Sequence, residues 1–164
     1  MPALDGNTHI NLTVSDLDRS VPWYCEVFGF VSVNDVSPDG SGFRFCTLVH
    51  PASLASVVLG ATEDGDTSPF DESRTGLHHL AFHVPDREAL TGWAEHLDRA
   101  GVARSEITES PFETGVQIWL RDPDNIWLEL YWVNRAFFAD GLRRAWRAAR
   151  RAGIERPWTA AGQR

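Results

Sequence analysis

Lysine is absent from the 164 residues, and cysteine, with two residues, is scarce. Without lysine the chain cannot form a Schiff base through a side chain, and it has no lysine acid or base. Cys25 and Cys46 are too few and too scattered for a disulfide framework or a structural zinc cluster. We therefore predict that both are reduced, buried thiols.

Long apolar runs are also missing. No stretch is long enough to span a bilayer, and the first residues lack the basic and apolar regions of a secretory signal. These features predict a cytoplasmic protein that does not insert into a membrane. The length of 164 residues and the hydrophobic content of 43% are those of one globular domain with its own core.

Charge is divided unevenly along the chain. Residues 135–164 carry eight arginines against one aspartate and one glutamate, about +6, and because the whole chain carries −8, residues 1–134 carry about −14. Such an acidic body excludes nucleic acid as a partner. The basic tail is predicted to be a helix that docks on the acidic body of its own chain or of a partner, in preference to phosphate or a membrane. The docking residues would be Phe137, Phe138, Leu142 and Trp146.

One motif is present twice. The segment THINLTVSDL, at 8–17, aligns with HHLAFHVPDR, at 78–87, and the alignment pairs His9 with His79. A strand followed by the start of a helix is therefore repeated. One unit of this size would leave a hydrophobic sheet face uncovered, so two copies are expected to pack together, in one chain or across a dimer.

Alternation and turn residues predict the elements of the first unit. His9 to Val14 alternates polar and apolar residues, as a half-buried strand does. Ser15 is the expected N-cap of a helix that Gly29 ends. The segments VSVNDV and FRFCTLV flank the turn-rich SPDGSG and are predicted to be an antiparallel pair, and ASVVL follows as a fourth strand.

The second unit repeats this order. LHHLAFHV is predicted to be a strand, residues 86–99 a helix, and ARSEI, GVQIWL and IWLELYW three further strands, with DPDN as the turn between the last two. Each unit is therefore β-α-β-β-β. The predicted boundaries are one domain over 1–134, made of module one at 6–62, a polar linker at 63–76 and module two at 77–134, and a basic helical tail over 135–164.

These residues resemble the vicinal oxygen chelate superfamily over residues 6–134. HLAFHVPD and RDPDNIWLEL carry the resemblance, and the second is similar to the family's DPDGNxxEL, with Asn125 where glycine is usual. The superfamily includes glyoxalase I, methylmalonyl-CoA epimerase, extradiol ring-cleaving dioxygenases, fosfomycin-modifying thiol transferases and metal-free bleomycin-binding proteins. The resemblance implies an α+β fold in which two β-α-β-β-β modules form a cup-shaped mixed sheet with helices outside, followed here by a C-terminal helix.

Three side chains are candidate ligands of one metal ion. Strand alternation directs His9 and His79 into the predicted cup, and Glu129 lies within WLELYW, where an unpaired carboxylate would be costly to bury. Two imidazoles and one carboxylate that leave coordination positions open are the usual set of non-haem Fe(II) oxygenases. The alternatives are hydrogen-bonded histidines and an edge-strand carboxylate that faces water. His78, one residue away, is predicted to point to the opposite face.

The resemblance also orders the candidate reactions. Glyoxalase I and the epimerase carry an additional ligand where counting gives Val57, which cannot bind a metal. Extradiol dioxygenases and the thiol transferases use a His, His, Glu set, yet both commonly have a tyrosine where this chain has Trp119, and indole is neither an acid nor a base. The transferases also have threonine where this chain has Asn11. The extradiol type is favoured, with Fe(II) as the metal and Mn(II), Zn(II) or Ni(II) as alternatives.

The remaining predictions concern a small-molecule substrate. An aromatic-walled cup suits a flat organic molecule, although some of its residues could instead fill the core. His83 faces inward and is a candidate acid–base residue, with a structural role as the alternative. Arg121 is predicted either to bind a carboxylate or to be an exposed turn residue. The candidate substrate-binding residues are Asn11, Thr47, Gln117, Trp119, Trp127 and Tyr131.

The favoured function is an extradiol-type dioxygenase acting on a small aromatic or diol substrate. A glyoxalase-like lyase or isomerase would use the metal as a Lewis acid but requires a positioned base. An antibiotic-binding resistance protein without chemistry is the third hypothesis, and the ligand trio counts against it. A homodimer is expected from the resemblance. The metal site lies either within one chain or between two, with His9 of one subunit meeting His79 and Glu129 of the other.

Overall fold

Two β-α-β-β-β units follow one another along the chain, as the sequence predicts. A computed structural model describes residues 6–110 and 114–153. The elements are β1 (Ile10–Thr13), α1 (Leu17–Phe28), β2 (Val31–Val36), β3 (Phe43–Val49), β4 (Ser56–Thr62), β5 (Leu80–His83), α2 (Ala89–Arg99), β6 (Thr108–Glu109), β7 (Gly115–Arg121), β8 (Trp127–Val133) and α3 (Arg135–Arg151).

The strands form two mixed sheets of four strands, in the orders β1-β4-β3-β2 and β5-β8-β7-β6. In each sheet the first strand runs parallel to its neighbour and the other pairs are antiparallel. Leu12 and Val14 are buried beside α1, whereas Asn11 and Thr13 are exposed, so β1 has the alternation that the sequence predicts. The α+β class and the repeated module are therefore confirmed.

Helix α1 begins one residue later than expected. The sequence predicts Ser15 as the N-cap, but the carboxylate of Asp16 accepts hydrogen bonds from the N–H groups of Asp18 (2.8 Å) and Arg19 (3.3 Å). The N–H of Ser15 donates instead to Asp124 of module two, at 3.1 Å. Two adjacent residues can cap a helix here, and the contact with the second module selects between them.

The end of α1 agrees with the prediction. Gly29 has a φ of +72°, in the left-handed region that favours glycine, and its N–H donates to the carbonyl of Cys25 at 3.0 Å. Cys25 and Cys46 are both free thiols, as predicted, but only Cys46 is fully buried.

Module two departs from the predicted element bounds at two points. Helix α2 begins at Ala89, three residues late, and the turn before it has i→i+3 hydrogen bonds from the N–H of Leu90 to Arg87 and from the N–H of Thr91 to Glu88. ARSEI is not a strand, and β6 is a two-residue strand that follows it. The hydroxyl of Ser105 accepts a hydrogen bond from the N–H of Trp119 at 2.9 Å. A side chain therefore accepts the hydrogen bond of a backbone N–H that would pair with a neighbouring strand in a continuous β-ladder.

The turn between β7 and β8 joins the two modules. Asp122 is buried, and its Oδ1 accepts hydrogen bonds from the N–H groups of Asp124 (2.9 Å) and Ile126 (2.7 Å). Its Oδ2 accepts a hydrogen bond from the hydroxyl of Tyr24 on α1, at 3.0 Å. Asp124 pairs with Arg19 of the same helix at 2.7 Å. The DPDN motif thus fixes module two to module one as well as turning the chain.

The linker is tied to the same turn. The N–H of Phe70 donates to the carbonyl of Asp124, and the side-chain amide of Asn125 donates to the carbonyl of Phe70, both at 2.8 Å. Arg121 donates two hydrogen bonds to Glu72, at 2.8 and 3.0 Å, and holds the pKa of Glu72 at about 2. Asn125 has a φ of +66°, which explains why glycine is usual at this position of the motif.

The tail forms helix α3 over residues 135–151, and residues 154–164 lie outside the described part of the chain. Phe137, Phe138 and Leu142 are 42–52% exposed, and no residue of α3 is buried. Phe137, Phe138 and Leu142 therefore do not dock on the described part of their own chain, whereas Trp146, the fourth predicted docking residue, is half-buried. Docking on a partner stays a prediction. No described helix has the length and apolar character that crossing a membrane requires.

We expect the buried carboxyl of Asp122 to make stability depend on pH. Burial raises the pKa of Asp122 from 3.8 to about 6. The folded state therefore binds this proton more tightly than the unfolded state, and the free energy of unfolding should decrease as the pH rises from about 4 to about 6. Asp122→Asn keeps an acceptor oxygen for the two N–H groups but removes the titration. Urea unfolding between these pH values should give a flatter profile for Asp122→Asn than for the wild type.

The control for this experiment is Asp39→Asn, in an exposed turn. Its profile should follow that of the wild type. Parallel profiles for Asp122→Asn and the wild type would contradict the assignment of this pH dependence to Asp122.

Candidate metal centre

Glu129 is a buried carboxylate in the middle of β8, where it is 5% exposed. Its neighbours in the sheet are Ala81 of β5 and Trp119 of β7. The residues before and after it face the apolar core, so alternation directs Glu129 to the other face. Nε2 of His79, which precedes β5, lies 3.4 Å from Oε2 of Glu129. The predicted proximity of His79 and Glu129 is present within one chain.

Hydrogen bonds among polar side chains orient the other carboxylate oxygen of Glu129. In the amide orientation that satisfies both neighbours, Gln117 donates to Oε1 of Glu129 at 2.7 Å and accepts from Nε1 of Trp119 at 2.8 Å. Gln117 is 7% exposed, so these hydrogen bonds are shielded from water. Trp119 therefore acts through Gln117 on the carboxylate, and its single N–H donor is already used.

The electrostatics of this pair favour a bound cation. Burial raises the pKa of Glu129 to about 7. Burial and then the neighbouring His78 lower the pKa of His79. Although the two groups are within ion-pair distance, both shifts disfavour the charged forms, so the pair is not a stable salt bridge. Among the described residues no arginine forms an ion pair with Glu129. An imidazole nitrogen and a carboxylate oxygen this close fit the donor preferences of Fe(II), Mn(II), Zn(II) and Ni(II).

Aromatic rings surround the pair. The rings of Trp119 and Trp127 are 4.4 Å apart, and the ring of His79 meets Trp119 edge-on at 5.5 Å. His78 also joins the cluster, since its Nδ1 lies 2.9 Å from Nδ1 of His79 and its ring is 5.1 Å from Trp127. The prediction that His78 faces away is wrong, because β5 begins at Leu80 and strand alternation does not extend back to residue 78.

His9 lies in a separate hollow on module one. This hollow of about 300 Å³ is lined by His9, Asn11, Thr47 and the stacked rings of Phe43 and Phe45. Of the predicted substrate-binding residues, Asn11 and Thr47 therefore lie in the hollow of His9 and not beside Glu129. In the ranges 6–110 and 114–153 of one chain, no three His, Cys, Asp or Glu side chains are near enough to hold one metal ion. A single chain thus has a His–Glu pair on one module and a histidine on the other.

The register identifies the module-one residue that corresponds to Glu129. Glu129 lies beside Ala81, two residues after His79, and Val58 lies beside Asn11, two residues after His9. The sequence repeat gives Val57 as this position, which is one residue before the Val58 that the strand register identifies. The conclusion is unchanged, because valine has no donor atom for a metal.

The other predicted substrate contacts of module two share the face of Glu129. Tyr131 is two residues further along β8, beside Gln117 of β7, and its hydroxyl forms a hydrogen bond with Thr114 at 2.8 Å. Trp127 is two residues before Glu129 and lies under the guanidinium of Arg121, at 4.8 Å. That guanidinium is already paired with Glu72 of the linker. The carboxylate that Arg121 binds is therefore one of its own chain.

His83 lies elsewhere. It is exposed and lines a cavity between the two modules rather than the cluster around Glu129. No hydrogen bond or ring contact between described residues joins His83 to His79 or Glu129. Its acid–base role stays a prediction, and the geometry does not add to it.

The model of one protein family, the Glyoxalase/Bleomycin resistance protein/Dioxygenase superfamily, matches residues 7–130. Catechol-2,3-dioxygenase of Bacillus subtilis (strain 168) is 28% identical over 153 residues, which are 92% of this chain and 48% of that protein. The chain therefore spans about half the length of this relative.

Solved structures share the fold. A glyoxylase/bleomycin resistance protein/dioxygenase domain from Frankia sp. EAN1pec has a TM-score of 0.72 and 36% identity, over 80% of this chain and 100% of that one. The fosfomycin resistance protein FosX from Listeria monocytogenes, complexed with Mn(II) and sulfate ion, has a TM-score of 0.59 and 17% identity, over 80% and 95% of the two chains. The second similarity concerns the fold alone.

We expect Glu129→Gln to separate metal binding from folding. In metal-free protein at pH 8 the buried carboxylate is a cost, so the amide should raise the free energy of unfolding by about 1 kcal/mol and the melting temperature by about 2–4 °C. Added Mn(II) should raise the melting temperature of the wild type but not of the variant. Thermal unfolding with EDTA and with Mn(II) measures both effects.

Glu63→Gln, an exposed change of the same chemistry, is the control and should respond to Mn(II) as the wild type does. An equal Mn(II) response in Glu129→Gln would exclude Glu129 as a ligand.

Proposed function

The chain belongs to the Glyoxalase/Bleomycin resistance protein/Dioxygenase superfamily, and from this premise we propose that it is a metal-dependent dioxygenase of the extradiol type. Its substrate would be a small aromatic diol. The single observation that carries this proposal is the buried Glu129 with His79 at 3.4 Å and no arginine in an ion pair with it among the described residues. A buried carboxylate without a cationic side chain is costly in its charged form, and a divalent cation would offset that cost.

The proposed ligand set is His79 and Glu129 of one chain with His9 of a second. His9 and His79 have equivalent positions in the repeat, and each stands at the beginning of a strand, β1 or β5, that lies at the edge of its sheet. A symmetric pair of chains that brings β1 of one beside β5 of the other would bring the two imidazoles together. The hollow on module one would then close over the Glu129 cluster and complete the cup.

A bound Fe(II) would acidify the hydroxyls of a diol and allow electron transfer from the ring to O₂. The residues of the chain hold the reactants. Gln117 fixes Oε1 of Glu129, which leaves Oε2 on the side of His79. Trp119 and Trp127 provide an aromatic wall for a flat ring, and Asn11 and Thr47 of the second chain would provide polar contacts.

The dioxygenase reaction is favoured over lyase or isomerase chemistry for two reasons. Enediolate chemistry needs a positioned base. Glu129 is held by Gln117, and Trp119, at the position of a common family tyrosine, cannot transfer a proton. In addition, the 28% identity with catechol-2,3-dioxygenase extends over 92% of this chain. An antibiotic-binding protein would have no use for a buried carboxylate and histidine in contact.

Oxygen consumption tests the reaction. Protein purified without chelator should contain Fe or Mn, and after anaerobic reconstitution with Fe(II) it should consume O₂ with one or more members of a catechol panel. His79→Asn and Glu129→Gln should lower the rate at least about 100-fold, because each removes a ligand. Bound metal without O₂ uptake would support a lyase or isomerase. Absence of metal, with tryptophan quenching on addition of bleomycin, would support a binding protein.

Complementation tests the ligand set across two chains. His9→Asn and Glu129→Gln should each be inactive alone. If the two variants are co-expressed and mix at random, half of the dimers are mixed and each has one intact site, so about a quarter of the wild-type activity should return. Co-expression of His79→Asn with Glu129→Gln is the matched control and should restore nothing, because these two ligands come from one chain. Failure of the first pair to recover activity would mean that His9 is not a ligand in trans.

A further inference from the structure

A second cavity, of about 900 Å³, lies between the two modules. Its walls are aromatic and come from both modules. The ring of Phe82 on β5 lies 5.0 Å from Phe28 and 5.7 Å from Phe30 of module one, and Phe28 also contacts Trp93 of α2 at 6.0 Å. Trp132 of β8 completes the lining. The volume and the apolar walls are those of a site for a small organic molecule.

This inter-module cavity is separate from the metal centre. Leu130 and Trp132 line it, and alternation along β8 directs these residues to the face opposite Glu129 and Tyr131. Neither His79 nor Glu129 borders it. A ligand in this cavity would therefore contact neither His79 nor Glu129.

The charged groups at the inter-module cavity are all potentially cationic. His50, His83 and Arg135 line it, and none of its described lining residues is an aspartate or glutamate. That is unusual for a chain that carries −8 overall. The side chains of Arg135 and His83 form no ion pair or hydrogen bond with another described residue, whereas the guanidinium of Arg121, at the other end of β8, is paired with Glu72. The cavity thus presents the unpaired guanidinium of Arg135 and the imidazole of His83 beside an apolar interior.

We propose that the inter-module cavity binds a small carboxylic acid with an aromatic or branched apolar body. The body would lie against Phe28, Phe82 and Trp132, and the carboxylate would pair with Arg135 and His83. Guanidinium binds carboxylate with two parallel hydrogen bonds, and aromatic walls bind a flat apolar body, so this class of ligand satisfies both parts of the lining.

The apolar face of α3 is a less suitable occupant. Residues 135–151 carry six arginines and one aspartate, about +5. The α3 of a second copy would bring this charge against Arg135 and the two histidines. Charge complementarity therefore favours an anionic ligand over a second copy of this helix.

The test uses 2-naphthoate and its neutral analogue 2-naphthamide, titrated calorimetrically into the full-length chain. EDTA is present throughout, so that neither compound can bind through a metal ion. We expect one 2-naphthoate per chain, with an affinity at least about tenfold higher than that of 2-naphthamide, because only the acid can pair with Arg135. Equal affinities of the acid and the amide would overturn the proposal.

Two variants locate the site. Arg135→Gln should weaken 2-naphthoate about tenfold and leave 2-naphthamide unchanged, whereas Arg147→Gln, on the same helix but outside the lining, should change neither. Ala52→Trp, at an exposed position of the lining, should block both compounds by filling the cavity. Equal losses in Arg135→Gln and Arg147→Gln would indicate a general charge effect and contradict the proposal, as would normal binding to Ala52→Trp.

The proposal does not depend on the dioxygenase assignment. Binding of 2-naphthoate in EDTA should persist in Glu129→Gln, so failure of the proposed reaction and failure of this site are distinguishable. An affinity that falls as protein concentration rises, with 2-naphthoate dissociating dimers in sedimentation, would show that a second copy occupies the cavity. That result would overturn the assignment of a small-molecule ligand.

Discussion

A carboxylate in the middle of a β-sheet is the constraint on which the candidate site depends. Glu129 is 5% exposed, and the described part of the chain has no arginine in an ion pair with it. Its oxygens are instead divided between the amide of Gln117 and the imidazole of His79. Burial raises the pKa of Glu129, and neither neighbour brings a permanent positive charge that would lower it again. The charged form of Glu129 is therefore costly in the absence of a bound cation.

The DPDN motif that precedes β8 also joins the two modules. In the sequence, DPDN reads as a tight turn, whereas in the structure its two aspartates bind α1 of the other module. The same turn anchors the linker through Asn125 and Phe70. The turn before the strand that carries Glu129 therefore joins the two modules, together with the hydrogen bond between His96 and Val27 and the contact of Phe28 with Phe82.

Local periodicity predicts much of this fold but not its long-range contacts. The period of two predicts that Glu129, Trp127 and Tyr131 share a face, and that this face also receives His79. The prediction fails at His78, since alternation holds only inside a strand and β5 begins at Leu80. The sequence favours Ser15 as the cap of α1, but Asp16 caps the helix and the N–H of Ser15 binds Asp124 of the other module. The location of His83 also depends on the packing of the two modules, which no window of neighbouring residues encodes.

The valine at position 58 has a consequence for how such a chain diverges. Duplication made two equivalent slots, one opposite Asn11 and one opposite Ala81, and only the second now carries a metal-binding atom. In the proposed site, a substitution at Glu129 or at either histidine would alter the affinity for the ion. A substitution around Val58 alters only the contour of the hollow beside His9. Selection can therefore reshape what the protein accepts while leaving the carboxylate of Glu129 untouched.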